Sequence, residues 1–332
     1  MGFPRRGISP TGGGVLLFVR WALATILVGG LAARSSAETQ ALSDKLGRVI
    51  HVEIQGVKDG TVEVVRDDGR RFTIPFADLS SGSQEEVRKW HARQNDPYRE
   101  IDERVRPGER FFLSFPELAD RNGGTPPRAG VSVPGAYHPE KPVPLLLWFG
   151  GGKGSSNPDG ARGLVDPDAF VIVALPYPEN RLPRLAVDDG SIDGHWEMQR
   201  PMLERVLELI PNIDEKVRIA GGSSSGAHNA GSGLDQEWDG FHDYFNAFVL
   251  HEGGYSPDME FDGARRKRVL VIFGENSRAR NWQMTFNKRI EDSRAEAEFI
   301  EVPGAGHGLN RDGRKKIREW IETVAVPGLR EE

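Results

Sequence analysis

The chain has 332 residues, room for one large domain and a small one. A hydrophobic fraction of 38% can fill a packed core, and a net charge of −6 gives no electrostatic basis for binding nucleic acid. There is no cysteine, which excludes a disulfide framework and any thiolate metal site.

The first residues read as a leader. Arg5 and Arg6 lie in a basic opening, Trp21 to Ala33 is apolar, and Ser35-Ser36-Ala37 supplies small residues at a cleavage point. This is the layout of a secretory signal over residues 1–37, and it implies a secreted or periplasmic protein. An uncleaved anchor is the alternative. Arg20 interrupts the apolar run, and the about 13 residues that remain fall short of the roughly 20 needed to span a bilayer. Stable membrane insertion is therefore not expected.

Residues 38–93 have the texture of a small β domain. Val49–Ile54 partly alternates, Lys58-Asp59-Gly60 makes a turn, and Thr61–Val65 is a second strand. Asp67-Asp68-Gly69 then favours a tight hairpin, because Asp-Gly tolerates the positive φ that such turns require. Arg71–Pro75 is a third strand, and Ser83 to Trp90 reads as a short helix capped by Ser83. The hairpin "VEVVRDDGRRFTIPFADLS" and the closing "EEVRKW" resemble the Sla-type homology domain, an SH3-like module of secreted bacterial proteins. That resemblance implies a binding or spacer element, with a peptide or surface ligand as its partner. No acid–base pair or ligand cluster occurs within the stretch. Residues 94–110 are polar and charged, contain Pro97 and Pro107, and read as a linker.

From residue 111 the pattern alternates buried strands with helical segments, which predicts an α/β domain with a parallel sheet wrapped by helices. Phe111–Phe115 opens it. Val143–Phe149 is unbroken apolar sequence, as in a strand covered on both faces. It runs into Gly150-Gly-Gly-Lys-Gly-Ser-Ser156. A phosphate-binding loop needs G-x-x-x-x-G-K-[ST], but Leu147 stands at the first glycine place and Gly154 follows Lys153. Two readings remain for these glycines: a simple turn, or an oxyanion loop whose backbone N–H groups approach a carbonyl oxygen. Ala169–Leu175 is the next strand. A long Pro-, Gly- and Asp-rich loop from Pro176 to Trp196 follows, able to shape a substrate pocket, and Glu197 to Ile210 has helical spacing.

The central stretch is Val217-Arg-Ile-Ala-Gly-Gly-Ser-Ser-Ser-Gly-Ala-His228. A β-branched strand breaks into Gly222-Ser-Ser224-Ser-Gly226, which fits G-x-S-x-G with Ser224 in the middle place. A nucleophilic serine must project from a sharp strand-to-helix turn, where flanking side chains would collide with neighbouring backbone. The following helix offers the free N–H of Ser225 to a developing oxyanion. Strands follow at Phe245–Leu250, Arg268–Phe273 and Ala297–Val302, with a last helix from about Arg311 to Val324. Between these, Gly304-Ala-Gly-His307-Gly308 puts an imidazole in a glycine-rich loop after a strand. Such a group can act as base and then acid at neutral pH; a solvated loop histidine is the plainer reading.

The segments "PLLLWFGGGKGSSN", "NIDEKVRIAGGSSSGA" and "EVPGAGHGL" make residues 111–332 resemble an α/β-hydrolase. The likeness is to the secreted esterase group that includes polyhydroxybutyrate-depolymerase-like and feruloyl-esterase-like proteins. It implies Ser224 as nucleophile, His307 as base, and an oxyanion hole from Gly151, Gly152 and Ser225. It implies an ester substrate and calls for no metal or cofactor. The family's acid is commonly an aspartate in G-x-x-D after the penultimate strand. Gly274-Glu-Asn-Ser277 has serine there instead, so Glu275 is taken as the acid, with Glu252 in "VLHEGG" as the second candidate. Two functions are compatible with the pattern. One is a serine esterase working through an acyl-enzyme. The other is a degenerate hydrolase fold that binds extracellular or cell-surface material.

Overall fold

The computed structural model describes residues 39–331 apart from Glu237. The leader-like residues 1–37 lie outside that range. The chain divides between Ala92 and Arg93 into two compact units.

The small unit is an antiparallel meander of β1 (Gln40–Ser43), β2 (Val49–Lys58), β3 (Thr61–Arg66) and β4 (Arg71–Pro75), hydrogen-bonded in that order. Asp59 and Gly60 both have positive φ, 50° and 75°, which turns β2 tightly into β3. Alternation then places Val52, Ile54, Val62 and Val64 on one face, where they pack with Leu42, Leu79 and Val87. Val87 comes from α1 (Ser81–Gln94), a helix that starts earlier than its sequence pattern implied. Its cap is Ser80, whose Oγ accepts the Ser83 N–H at 3.3 Å. Ser83 instead sits in the first turn, nearly buried, and accepts the N–H of Ser43 at 2.7 Å. β1 escaped the sequence reading because four residues are too few to display a period.

The large unit begins before its first strand. Residues 94–110, read above as a linker, are docked on it: Val105 is fully buried, and the Tyr98 hydroxyl donates to the Tyr137 carbonyl at 2.7 Å. Two apolar anchors were hidden in a polar composition. The strands are β5 (Arg110–Ser114), β6 (Arg128–Ser132), β7 (Val143–Phe149), β8 (Val171–Ala174), β9 (Ile213–Ser223), β10 (Ala247–His251), β11 (Arg268–Gly274) and β12 (Glu296–Val302). They form one sheet in the order β12-β11-β10-β9-β7-β8-β6-β5. From β12 to β8 every pairing is parallel, while β6 pairs antiparallel with both β8 and β5. The antiparallel edge was not foreseen. The α/β-hydrolase arrangement itself is present: a mostly parallel sheet with helices on both faces.

Those helices are α2 (Pro183–Asp188), α3 (Asp193–Leu209), α4 (Ser225–Asp235), α5 (Arg280–Asp292), α6 (Arg311–Trp320) and α7 (Val326–Glu331), the last two joined by a π turn over Ile321–Ala325. Every residue of β7 is buried because both faces are covered. Leu145, Leu147 and Phe149 pack in the cluster that holds α3, α4 and α5 side chains, including Met202, Ala230 and Phe286. Leu146 and Trp148 pack in the other, with Ile317 and Trp320 of α6. The sheet thus carries two cores, and its parallel strands all present their C-terminal ends to one edge. Loops at that edge are where an open α/β sheet can build a site.

Docking of residues 94–110 is testable by truncation. A protein spanning Arg93–Glu332 should unfold as one cooperative unit in urea. Starting at Gly108 instead should lower stability by several kcal/mol, and Val105→Ala alone by about 2 kcal/mol, from two lost methyl groups plus the residual cavity. Equal midpoints for the two truncations would show the segment to be a mere tether.

Candidate active site

The sharpest feature of the backbone is at Ser224. β9 ends at Ser223, α4 begins at Ser225, and Ser224 between them has φ 54° and ψ −114°. That is outside every comfortable region for a side-chain-bearing residue and costs on the order of 1–3 kcal/mol. The surroundings hold it. The Ser224 N–H donates to the His251 carbonyl at 2.8 Å, and its own carbonyl accepts the His228 N–H at 3.1 Å. The two flanking glycines are demanded by contact: a Cβ on Gly226 would lie 2.0 Å from the Phe149 carbonyl oxygen, and one on Gly222 would lie 2.2 Å from the Gly226 carbonyl carbon. The G-x-S-x-G spacing is thus a packing requirement.

His307 reaches Ser224 from β12, which lies three strands away from β9 in the sheet. It does so because the loop after β12 is fastened across the end of β11. The Glu275 N–H donates to the Val302 carbonyl at 3.0 Å and the Asn276 N–H to the Ala305 carbonyl at 2.8 Å. Gly274 permits the approach, since a Cβ there would meet the Ala305 carbonyl oxygen at 2.5 Å. The outcome is an imidazole with Nε2 3.0 Å from Ser224 Oγ.

The other ring nitrogen settles which carboxylate is present. His307 Nδ1 lies 3.2 Å from Glu252 Oε2. Glu275, taken from the sequence as the acid, is not there: its exposed carboxylate accepts the Gly304 N–H at 2.8 Å and pins the base of the histidine loop. Glu252 follows β10 directly, with φ 56° turning its side chain back under the site. Its side chain is fully buried and still fully engaged. Oε1 accepts the Gly274 N–H at 2.5 Å, and Oε2 accepts the Ser277 hydroxyl as well as facing His307. Ser277 occupies the very place where the sequence pattern lacked an aspartate. Its hydroxyl donates to the Glu252 carboxylate instead of supplying a carboxylate itself.

The three residues read as oxyanion donors are placed unequally. Ser225 is the first residue of α4, so its N–H has no partner within the helix and lies at the positive end of the helix dipole. Gly151 abuts the serine turn, a Cβ there coming within 3.7 Å of Ser224 Cβ. Gly152, with φ 60°, stands in open space and contributes the bend. Tyr177 fixes this loop by donating to the Gly150 carbonyl, and burial pushes its phenol pKa upward, keeping it a donor. No group of three or more His, Asp or Glu among the described residues could hold a metal.

Ser224 and His307 open onto a cavity of about 740 Å³ lined also by α2, by Gly253 to Pro257 and by α5. The loop from Pro176 to Trp196 does contribute to it, through Arg184, Val187 and Asp188 of α2. Sequence reasoning assigned nothing to His228, although it falls four residues after Ser224, one turn along α4 on the same face. It lines the cavity, and its Nδ1 is buried without a partner. Tyr255, Arg278 and Trp282 were missed because no motif surrounds them.

No family model matches this chain, and no curated protein matches it. Solved structures similar to it include the hyperthermophilic esterase from the archaeon Pyrobaculum calidifontis, at 15% identity over 68% of this chain and 85% of that one, TM-score 0.48. The Bacillus cereus carboxylesterase gives 18% identity, 64% and 93% coverage, and TM-score 0.44. The feruloyl esterase module from Clostridium thermocellum gives 13%, 67%, 89% and 0.46.

Burial pushes the imidazoles of both His228 and His251 down to about 4, from an ordinary 6.5, with nearby cations adding to it. His251 is also held at Nδ1 by Ser223 Oγ, 2.8 Å away. Both rings stay neutral in the folded protein where the unfolded chain would take up protons. Their contribution is therefore complete above pH 6.5 and is lost as pH falls from 6.5 toward 4, on the order of 3 kcal/mol for His251. Urea unfolding of wild type and His251→Asn across pH 7 to 4.5 should show a shallower slope in the variant. Parallel slopes would mean that His251 titrates normally.

Proposed function

We propose that this protein is a serine ester hydrolase working through an acyl-enzyme on Ser224. One observation carries the reading: a single imidazole, His307, bridges the hydroxyl of a strained strand-to-helix serine and a buried carboxylate, at 3.0 and 3.2 Å, on the wall of a cavity. A structural role for His307 would not require a serine held at an unfavourable φ.

The steps follow from the atoms. Glu252 accepts a hydrogen bond from the His307 Nδ1–H, which fixes the tautomer and leaves Nε2 free to accept the Ser224 hydroxyl proton. Ser224 Oγ attacks the ester carbonyl carbon and the proton passes to Nε2. The carbonyl oxygen, now anionic, accepts the Ser225 N–H and a second N–H from the loop at Gly151. Collapse expels the alcohol, which takes the proton from His307. Water then repeats the sequence on the acyl-enzyme and releases the acid. The Gly274 N–H and the Ser277 hydroxyl hold the Glu252 carboxylate in place for this contact.

The likeness of the sequence to secreted esterases supports an ester, rather than an amide, as substrate. The leader-like start of the chain supports action outside the cytoplasm. On the same reading the small unit is an SH3-like module that holds a peptide or surface ligand while the large unit works.

Ser224→Ala should lower kcat by on the order of 10⁶ on a p-nitrophenyl ester and abolish labelling by a fluorophosphonate probe. Glu252→Gln should cost on the order of 10⁴, the usual loss when a triad acid is amidated. Glu275→Gln should cost less than about tenfold, since its amide oxygen can still accept the Gly304 N–H and only the charge on that acceptor is lost. A larger loss at Glu275 than at Glu252 would reverse the assignment. If neither wild type nor Ser224→Ala is labelled or active, the cavity serves binding alone.

A further inference from the structure

Two arginines face the reaction cavity with nothing to hold. Arg184 projects from α2 on one wall, and Arg278 follows Ser277 in the segment between β11 and α5. Neither guanidinium makes an ion pair, a hydrogen bond or a ring contact with any described residue. The contrast is local: Arg280, two residues on from Arg278, pairs with Glu301 at 3.3 Å. Two carboxylates line the same cavity. Glu252 is committed to His307, Ser277 and Gly274, which among the described residues lining the cavity leaves Asp188 as the acidic group not engaged there. The Arg184 charge is felt close to the serine, being among the causes that keep His228 neutral.

The same cavity is also lined by aromatic side chains. Trp282 stands four residues after Arg278, on the first turn of α5, and is 56% exposed although it is the bulkiest apolar side chain of the cavity. Tyr255 and Phe286, which also line the cavity, pack with ring centroids 5.5 Å apart. An exposed indole face offers stacking to a flat or ring-shaped group, and a guanidinium fork matches the two oxygens of a carboxylate.

We propose that the ester taken by this cavity carries a carboxylate on a ring-bearing substituent, the carboxylate held by Arg184 and Arg278 while the ring lies against Trp282. This rests on the ester-hydrolase reading above and narrows it to acidic esters. Electrostatic attraction would draw such substrates toward an otherwise net-negative protein, and the aromatic wall would orient them beside Ser224.

The test compares matched esters with the full chain: 4-acetoxybenzoate against 4-acetoxybenzamide, in which a neutral amide of nearly the same size replaces the carboxylate, and the mono-4-nitrophenyl ester of terephthalate against that of terephthalamic acid, which moves the charged ring to the acyl side. At low salt the charged member of at least one pair should have a kcat/KM about tenfold higher, by the strength of a charge-assisted hydrogen bond. Arg184→Gln and Arg278→Gln should each lower that charged-to-neutral ratio about 10-fold, mainly through KM, and added salt should shrink it in wild type. In parallel, calorimetry of 4-acetoxybenzoate with Ser224→Ala should give a Kd that either arginine substitution weakens by a similar factor. Neutral esters preferred in both pairs, or a preference that survives both substitutions, would overturn the proposal while leaving the hydrolase standing. Arginine-dependent binding without turnover of any ester would do the reverse.

Discussion

One hydrogen bond joins the two halves of the site. The Ser224 N–H donates to the His251 carbonyl, tying the strained turn after β9 to the last residue of β10. The next residue is Glu252. The serine and the carboxylate are therefore positioned by the same pair of parallel strands, in register from Ala247 against Ile219 to His251 against Ser223. A rigid sheet centre is what allows an unfavourable backbone conformation to persist, because relaxing Ser224 would break the bond to His251 and push α4 into Phe149.

The buried carboxylate depends on the same economy of strands. An isolated Glu252 in this position would be prohibitively desolvated. It is tolerated because Gly274 at the end of β11 and Ser277 three residues beyond it each donate to one of its oxygens, while the histidine loop closes over it. Glu275, pointing the other way, fastens that loop through Gly304. Four successive strand ends, β9 to β12, thus supply respectively the hydroxyl, the carboxylate, its hydrogen-bond donors and the imidazole. No one element carries the chemistry, and each strand is anchored by side chains that alternate between the two cores flanking the sheet.

The cavity wall is built on a different principle. α2, the residues from Gly253 to Pro257, and α5 lie outside the sheet, and their side chains toward the cavity are long, charged or aromatic. Such segments can vary in composition without disturbing the strand ends, since loops carry specificity on a scaffold that carries geometry. That division explains why the arginines and Trp282 can stand unpaired or exposed while the residues at the strand ends are all satisfied.

Local sequence determined the parallel strands and the serine turn. Unbroken apolar runs such as Val143–Phe149 can only be covered on both faces, and G-x-S-x-G encodes close approaches that only glycine survives. Ser224 and His307 were legible for the same reason, each standing in a glycine-marked break after a strand. The acid was not. Glu252 and Glu275 are both glutamates just beyond a strand, and nothing within a few residues of either states which way its side chain turns. That choice falls to φ at Glu252, to Ser277 and to the path of a loop some fifty residues later in the chain. The same holds for the docked segment around Val105, the antiparallel edge at β5 and β6, and the arginines of the cavity. Periodicity and turn chemistry act over a few residues, whereas the partner of a buried charge is set by contacts between segments far apart in sequence, which only the tertiary structure brings together.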